Sequence, residues 1–194
     1  MGTRGFIGFV ADGEEKIAYN QFDSYPSGVG VTVMEWLRSG STPHLREQVK
    51  ALRVVPDDSE PTPEDIQRLS EFADLRVSDK DPREWYVLLR DTQGDPGAIL
   101  RAGVIEDASG FPLDSLFCEW GYLIDLDAET FEVYRGFQHQ PHDKGRFASR
   151  GGEQYANAGL PHGYYPVALA KSWPLAELPT PEQFLDALGE GEEE

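Results

Sequence analysis

Tyr19-Asn-Gln-Phe-Asp-Ser-Tyr-Pro-Ser-Gly-Val-Gly-Val-Thr-Val-Met-Glu-Trp-Leu-Arg38 changes its hydrophobic period part-way along. Its first residues close an extended run, Asp23 to Ser27 are turn formers around Pro26, and Val31, Met34, Trp36 and Leu37 then follow helical spacing up to Gly40. A strand handed through a turn to a helix is the pattern from which the rest is read. Gly28 and Gly30 stand where that helix begins. Lacking a Cβ, they would let the backbone approach another group closely and present free N–H donors to it. The stretch is therefore also the first place to expect a site.

Upstream, Thr3 to Val10 is rich in aromatic and β-branched residues, Ala11-Asp-Gly-Glu14 signals a turn, and Lys16 to Asn20 resumes an extended pattern, which together predict a β-hairpin. Downstream come helix starts. Thr42-Pro43 precedes Leu45, Val49 and Leu52, Thr62-Pro63 precedes Ile66, Leu69 and Phe72, and Asp81-Pro82 precedes Trp85, Leu88 and Leu89. Gln93 to Gly97 reads as a loop, and Ala98 to Ile105 as a short strand or a helical turn. Phe117 to Leu126 and Phe131 to Phe137 form a second hairpin across the four-residue loop Asp127 to Thr130. Residues 138–163, poor in aliphatic side chains, read as a long exposed loop. Tyr165 to Trp173 is extended, and Thr180-Pro181 opens a last helix through Leu188, stopped by Gly189. Hairpin, helices, hairpin, strand, helix is an α+β order. The expectation is a mainly antiparallel sheet of about five strands with about five helices packed on it, in one globular domain over residues 1–188 and with an acidic tail at 189–194.

The chain has 194 residues, and its 35 acidic side chains against 17 basic ones give a formal net charge of −18. Such a surface disfavours direct nucleic-acid binding, which needs Lys and Arg on phosphates, unless the carboxylates themselves imitate a phosphate backbone. One cysteine, Cys118, excludes an internal disulfide, and its place at the head of an apolar strand points to a buried, inert thiol. No run of about 18 apolar residues is present, so no membrane association is expected and a cytoplasmic location is.

Met1-Gly-Thr-Arg4, Gly13, Tyr19 and Phe22-Asp-Ser-Tyr-Pro-Ser-Gly28 with Gly30 resemble the opening of a family of uncharacterised bacterial, phage and fungal proteins. Cys118-Glu-Trp-Gly-Tyr-Leu-Ile-Asp-Leu-Asp127 through Thr130 to Phe137 resembles a second part of that family. The resemblance implies the architecture and no reaction. A more distant similarity is to N-terminal-nucleophile hydrolases, which need Cys, Ser or Thr as the first residue, where removal of Met1 would leave Gly2.

Two functional expectations follow. The first is an accessory or interaction protein that binds another protein through its acidic surface and the 138–163 loop, where His139, His142, Lys144, Arg146 and Arg150 form a local cationic island. The second is a small-molecule or hydrolytic pocket between the two hairpins. For it the candidate ligand-binding residues are Arg4, Tyr19, Asp23, Tyr25, Gly28, Gly30, Glu119 and Tyr134, which would supply one guanidinium, carboxylates and hydroxyls around the glycine turn. Asp23 also suits an Asx-turn. His139 and His142 lack a third ligand at evident spacing, and the glycines lack a Walker lysine, so no metal, no cofactor and no catalytic residue is assigned. A DNA-mimic inhibitor is a further alternative.

Overall fold

A computed structural model describes residues 2–40, 44–76, 81–150 and 163–189. Strands β1 (Gly5–Ala11) and β2 (Glu14–Asn20) form the first hairpin, pairing antiparallel from Gly5↔Asn20 to Ala11↔Glu14. Asp12 and Gly13 between them both have positive φ, as a tight two-residue turn requires. The second hairpin is β5 (Trp120–Asp125) and β6 (Thr130–Arg135). Its register pairs Asp125 with Thr130, which sets the four-residue loop at 126–129, one residue earlier than the sequence suggests.

The two hairpins meet directly. β1 pairs in parallel with β5, and β7 (Ala168–Pro174) adds antiparallel to β6, giving the order β2-β1-β5-β6-β7. Every residue of β1 and β5 is buried, as a central parallel pair covered on both faces demands. Alternation divides their side chains. Ile7, Phe9, Tyr122, Ile124, Phe131 and Val133 face α1 (Val31–Arg38) and α6 (Pro181–Leu188). Phe6, Val10, Ile17, Leu123 and Tyr134 face the opposite way, beneath Phe147 and Val167.

That second layer corrects the reading of 138–163 as an exposed loop. Phe147 is fully buried, with its ring 5.7 Å from Phe6 and 4.9 Å from Tyr134. The remainder of that loop, 151–162, lies outside the described residues, as do the Thr42-Pro43 cap and tail residues 190–194.

Short elements connect the hairpins: α2 (Leu45–Ala51), β3 (Arg53–Val55), α3 (Pro63–Arg68), α4 (Trp85–Leu88), α5 (Pro96–Ala102) and β4 (Val104–Glu106). β3 and β4 pair in parallel as a second, two-stranded sheet over a satellite core of Leu69, Phe72, Trp85, Leu88 and Ala102. Thr62 and Asp65 cap α3 reciprocally, as Thr180 and Gln183 cap α6. The helix expected from Asp81 begins only at Trp85, because the Asp81 carboxylate instead closes a turn on the N–H and guanidinium of Arg83. Asp95 caps α5 and Gly103, at φ 68°, ends it, so a helix occupies part of the stretch expected as a loop.

Candidate functional site

The chain leaves β2 at Asn20, whose side-chain amide donates to the Phe22 carbonyl and to Ser24 Oγ at 2.6 Å. Asp23 takes a left-handed conformation, φ 56°, and its carbonyl accepts the Val29 N–H at 2.9 Å. Pro26–Gly30 forms a π-helical turn ahead of α1. The glycine N–H groups expected to be free are used within this turn: both Gly28 and Gly30 donate to the Tyr25 carbonyl. A Cβ at Gly28 would stand 2.4 Å from the Asp23 carbonyl oxygen, and one at Gly30 would stand 2.9 Å from the Tyr122 ring. The glycines serve closure of the turn rather than approach of a ligand.

Asp23, Tyr25 and Gly28 do line a common open depression of about 690 Å³, together with Asp74, Arg90 and Gln93. The other candidates lie elsewhere. Arg4 donates its N–H to Glu119 Oε1 at 3.4 Å and lays its guanidinium over the Phe117 ring, 5.0 Å from the centroid. Tyr134 is buried on the second face of the sheet with its hydroxyl bonded to Glu132, and burial and that carboxylate raise its pKa. Arg4, Asp23, Tyr25, Glu119 and Tyr134 therefore share no cavity. The physical reason is the β1–β5 pairing, which fills the space expected to open between the hairpins.

The two arginines of the cationic island are paired with the sheet, whereas His139 and Lys144 are exposed. Arg146 Nη2 lies 2.5 Å from Asp125 and 2.8 Å from Glu132, and Arg150 holds Glu15 through two bonds of 2.6 and 3.1 Å. These pairs pin residues 144–150 across the sheet. His142 Nδ1 accepts from the Lys144 N–H at 3.1 Å while Nε2 lies 2.8 Å from the Pro166 carbonyl, which fixes the Nε2–H tautomer. His139 packs on Tyr164 with centroids 4.4 Å apart. Cys118 is fully buried, and burial pushes its thiol pKa well up, which leaves it inert.

The best-formed concavity is one that none of the motifs marks. It has a volume of about 440 Å³ and lies against the outer edge of β2, between α4 and the segment that follows β4. Tyr19, Trp85, Tyr86 and Phe111 form its aromatic walls, with Tyr19 and Phe111 edge to face at 5.0 Å. Leu89 and Ile105 extend the apolar surface, and Asp57, Glu106 and Asp107 supply carboxylates.

Its position follows from how the edge strand is covered. The Ala108 N–H donates to the Ile17 carbonyl at 3.2 Å, and the Gln21 N–H donates to Gln93 Oε1 at 2.8 Å. These two staples protect β2 on either side of Ala18 and Tyr19, which line the cavity. In an antiparallel pair alternate residues turn both backbone groups outward. Ile17 uses its outward C=O and Gln21 its outward N–H in the staples, so Tyr19 between them also directs its N–H and C=O outward, and neither has a partner among the described residues. The Tyr19 hydroxyl is bonded to Gln21, and burial raises its pKa.

Gln93 borders both concavities and accepts from Arg90 Nη1 at 3.0 Å. Arg90 lies over Phe22 and Tyr86, at 4.8 and 5.6 Å, and its Nε is buried with no hydrogen-bond partner among the described residues. Phe22, Arg90, Tyr86 and Gln93 thus partition an apolar cavity from a polar depression. Of the sequence candidates only Tyr19 belongs to the apolar cavity. The adjacent pair Trp85-Tyr86 and the acidic pair Glu106-Asp107 after Val104-Ile105 were the available signals. The chain matches no family model, no curated protein and no solved structure.

Proposed function

We propose that the protein binds a small molecule in the cavity beside β2. The observation that carries this reading is an aromatic-walled cavity set on a stretch of an edge strand left open between two staples, where a backbone donor and acceptor have no partner among the described residues. Ligand sites commonly combine largely apolar walls with a few convergent polar groups. No reaction is assigned, because the Tyr19 hydroxyl is already bonded to Gln21 and no nucleophile–base pair lines the cavity.

A fragment screen read by protein-observed NMR tests the reading. Hits are expected to move the Trp85 indole and Tyr19 amide signals, and Gly110→Trp is expected to abolish those shifts. Gly110 lines the cavity and has open space where a Cβ would stand, so a bulky side chain can be introduced there without a clash at its Cβ. Shifts confined to other surfaces, or hits that survive Gly110→Trp, would contradict it.

A second reading, as an interaction protein, is favoured by exposed aromatic rings at one end of the sheet. Phe22 follows β2, Phe117 precedes β5 and Phe137 follows β6, and these strand ends lie side by side. Phe137 is also held at φ 57°, an unusual conformation for an aromatic residue. The partner surface in this reading is that end rather than the 144–150 segment, whose arginines are paired with the sheet. A Phe117→Ser, Phe137→Ser double variant is expected to abolish any self-association or partner capture by this end, and capture unchanged by it would sink the reading.

A further inference from the structure

The lining of the β2 cavity is one-sided in its chemistry. Its ionisable side chains with a full charge are Asp57, Glu106 and Asp107; no Lys, Arg or His is in the lining, and the guanidiniums of Arg4 and Arg90, which act on the Tyr19 hydroxyl, and of Arg53, over Trp85, lie outside it. Glu106 is half-buried, and its carboxylate has no hydrogen bond or ion pair among the described residues. Asp57 from the β3–α3 connection is the charge that acts on it, and Asp107, Tyr19 of β2 and Tyr86 of α4 share the cavity lining with it. None of them is a cation. Burial and the charge of Asp57 both raise the Glu106 pKa, so the folded chain holds this carboxylate at a cost that a cation in the cavity would remove. Four aromatic rings line the same space; Arg90 already lies over Tyr86 and Arg53 over Trp85, and the aromatic surface left to the cavity attracts a cation by its quadrupole. The outward carbonyl of Tyr19 is a further acceptor. An anion meets three carboxylates there, and a neutral molecule leaves Glu106 uncompensated. For a bare metal ion, no group of three or more His, Cys, Asp or Glu converges among the described residues.

We propose that the cavity takes an organic ammonium ion, with its apolar body against Tyr19, Trp85, Tyr86 and Phe111 and its N–H groups donating to the Glu106 carboxylate and the Tyr19 carbonyl. The inference rests on the small-molecule reading above and adds the ligand's charge and donor groups to it.

Calorimetric titration at pH 7 with three probes of one skeleton tests it: phenethylammonium, 2-phenylethanol and 3-phenylpropanoate. The ammonium ion is expected to bind at one site at least about tenfold tighter than the alcohol, with no binding by the carboxylate. Glu106→Gln keeps the side-chain shape and is expected to bring the ammonium ion to within about twofold of the alcohol. Asp57→Asn, at an exposed position, provides a second variant with a smaller loss. Equal binding of alcohol and ammonium ion, both abolished by Gly110→Trp, would overturn the cation assignment and leave the cavity as a ligand site. Absence of binding by all three probes would overturn both. Ammonium binding that is unchanged in Glu106→Gln would overturn the assigned contact.

Discussion

At Glu106 burial and the Asp57 charge act in the same direction, against ionisation. The folded-state pKa lies above the unfolded one, so the folded chain binds the proton more tightly and stability falls as pH rises through the interval. This contribution is fully present below about pH 4.3, the ordinary glutamate value, and lost above the folded value. Glu106→Gln is therefore expected to raise the urea midpoint at pH 7 and to leave it nearly unchanged at pH 4. A lowered midpoint at pH 7 would contradict the account. Ammonium binding should tighten over the same window as the carboxylate ionises. Gly28 makes a different prediction. An alanine Cβ there would meet the Asp23 backbone oxygen, which cannot swing away, so Gly28→Ala is expected to cost roughly 1–3 kcal/mol by denaturant titration. A cost within about 0.5 kcal/mol would show that the turn relaxes. Sequence marked Gly28 and Gly30 as special because it shows where a side chain is unwanted. It does not show which group stands there, and that group is Asp23 or Tyr122 rather than a ligand. Arg150 shows the same limit: its partner Glu15 is 135 residues away, and a local window sees only a cation.

The cap signals were legible among the elements because they are local. Thr62-Pro63 and Thr180-Pro181 each open a helix with both reciprocal capping bonds in place. Asp95-Pro96 carries a comparable signal for α5, but it stands among the turn formers Gln93, Gly94 and Gly97, which locally read as a loop. β3 and β4, at three residues each, are too short for a period to register. The β1–β5 pairing joins segments more than a hundred residues apart and has no local signature, yet it abolishes the pocket expected between the hairpins. Arg146 clamps one element to another. Its guanidinium joins the 144–150 segment to Asp125 of β5 and Glu132 of β6, both shielded from solvent. Removing it leaves two buried carboxylates uncompensated, so Arg146→Met is expected to cost about 3–5 kcal/mol. A loss below about 1 kcal/mol would show that water replaces the guanidinium. At the hairpin tips Asp127 accepts from Arg46 and from the Gly13 and Asp12 N–H groups, which hold its pKa at about 2. This lowered pKa makes the tie's stability present above the unfolded aspartate value and lost as pH falls through about 2. The destabilisation by Asp127→Asn should accordingly be largest at neutral pH and shrink toward pH 2, measured by thermal unfolding. A pH-independent loss would contradict the ion-pair origin.

Across the whole molecule the fold class was readable and the site was not. Two hairpins and capped helices are written in contiguous residues, so the α+β sheet of five strands follows from them. The cavity draws on Tyr19, Trp85, Glu106 and Phe111, which come together only once β2, α4 and the segment after β4 are packed. Its central feature is the interval of β2 left open between the staples at Ile17 and Gln21. Amide hydrogen exchange by NMR, residue by residue and with and without saturating phenethylammonium, tests this directly. The account predicts fast exchange at Tyr19 in the free protein, slow exchange at Ala18 and Asn20, whose N–H groups point into the sheet, and slower exchange at Tyr19 when the bound ligand excludes water from that edge. Protection of Tyr19 equal to that of Ala18 in the free protein, or exchange at Tyr19 unmoved by the ligand, would contradict it.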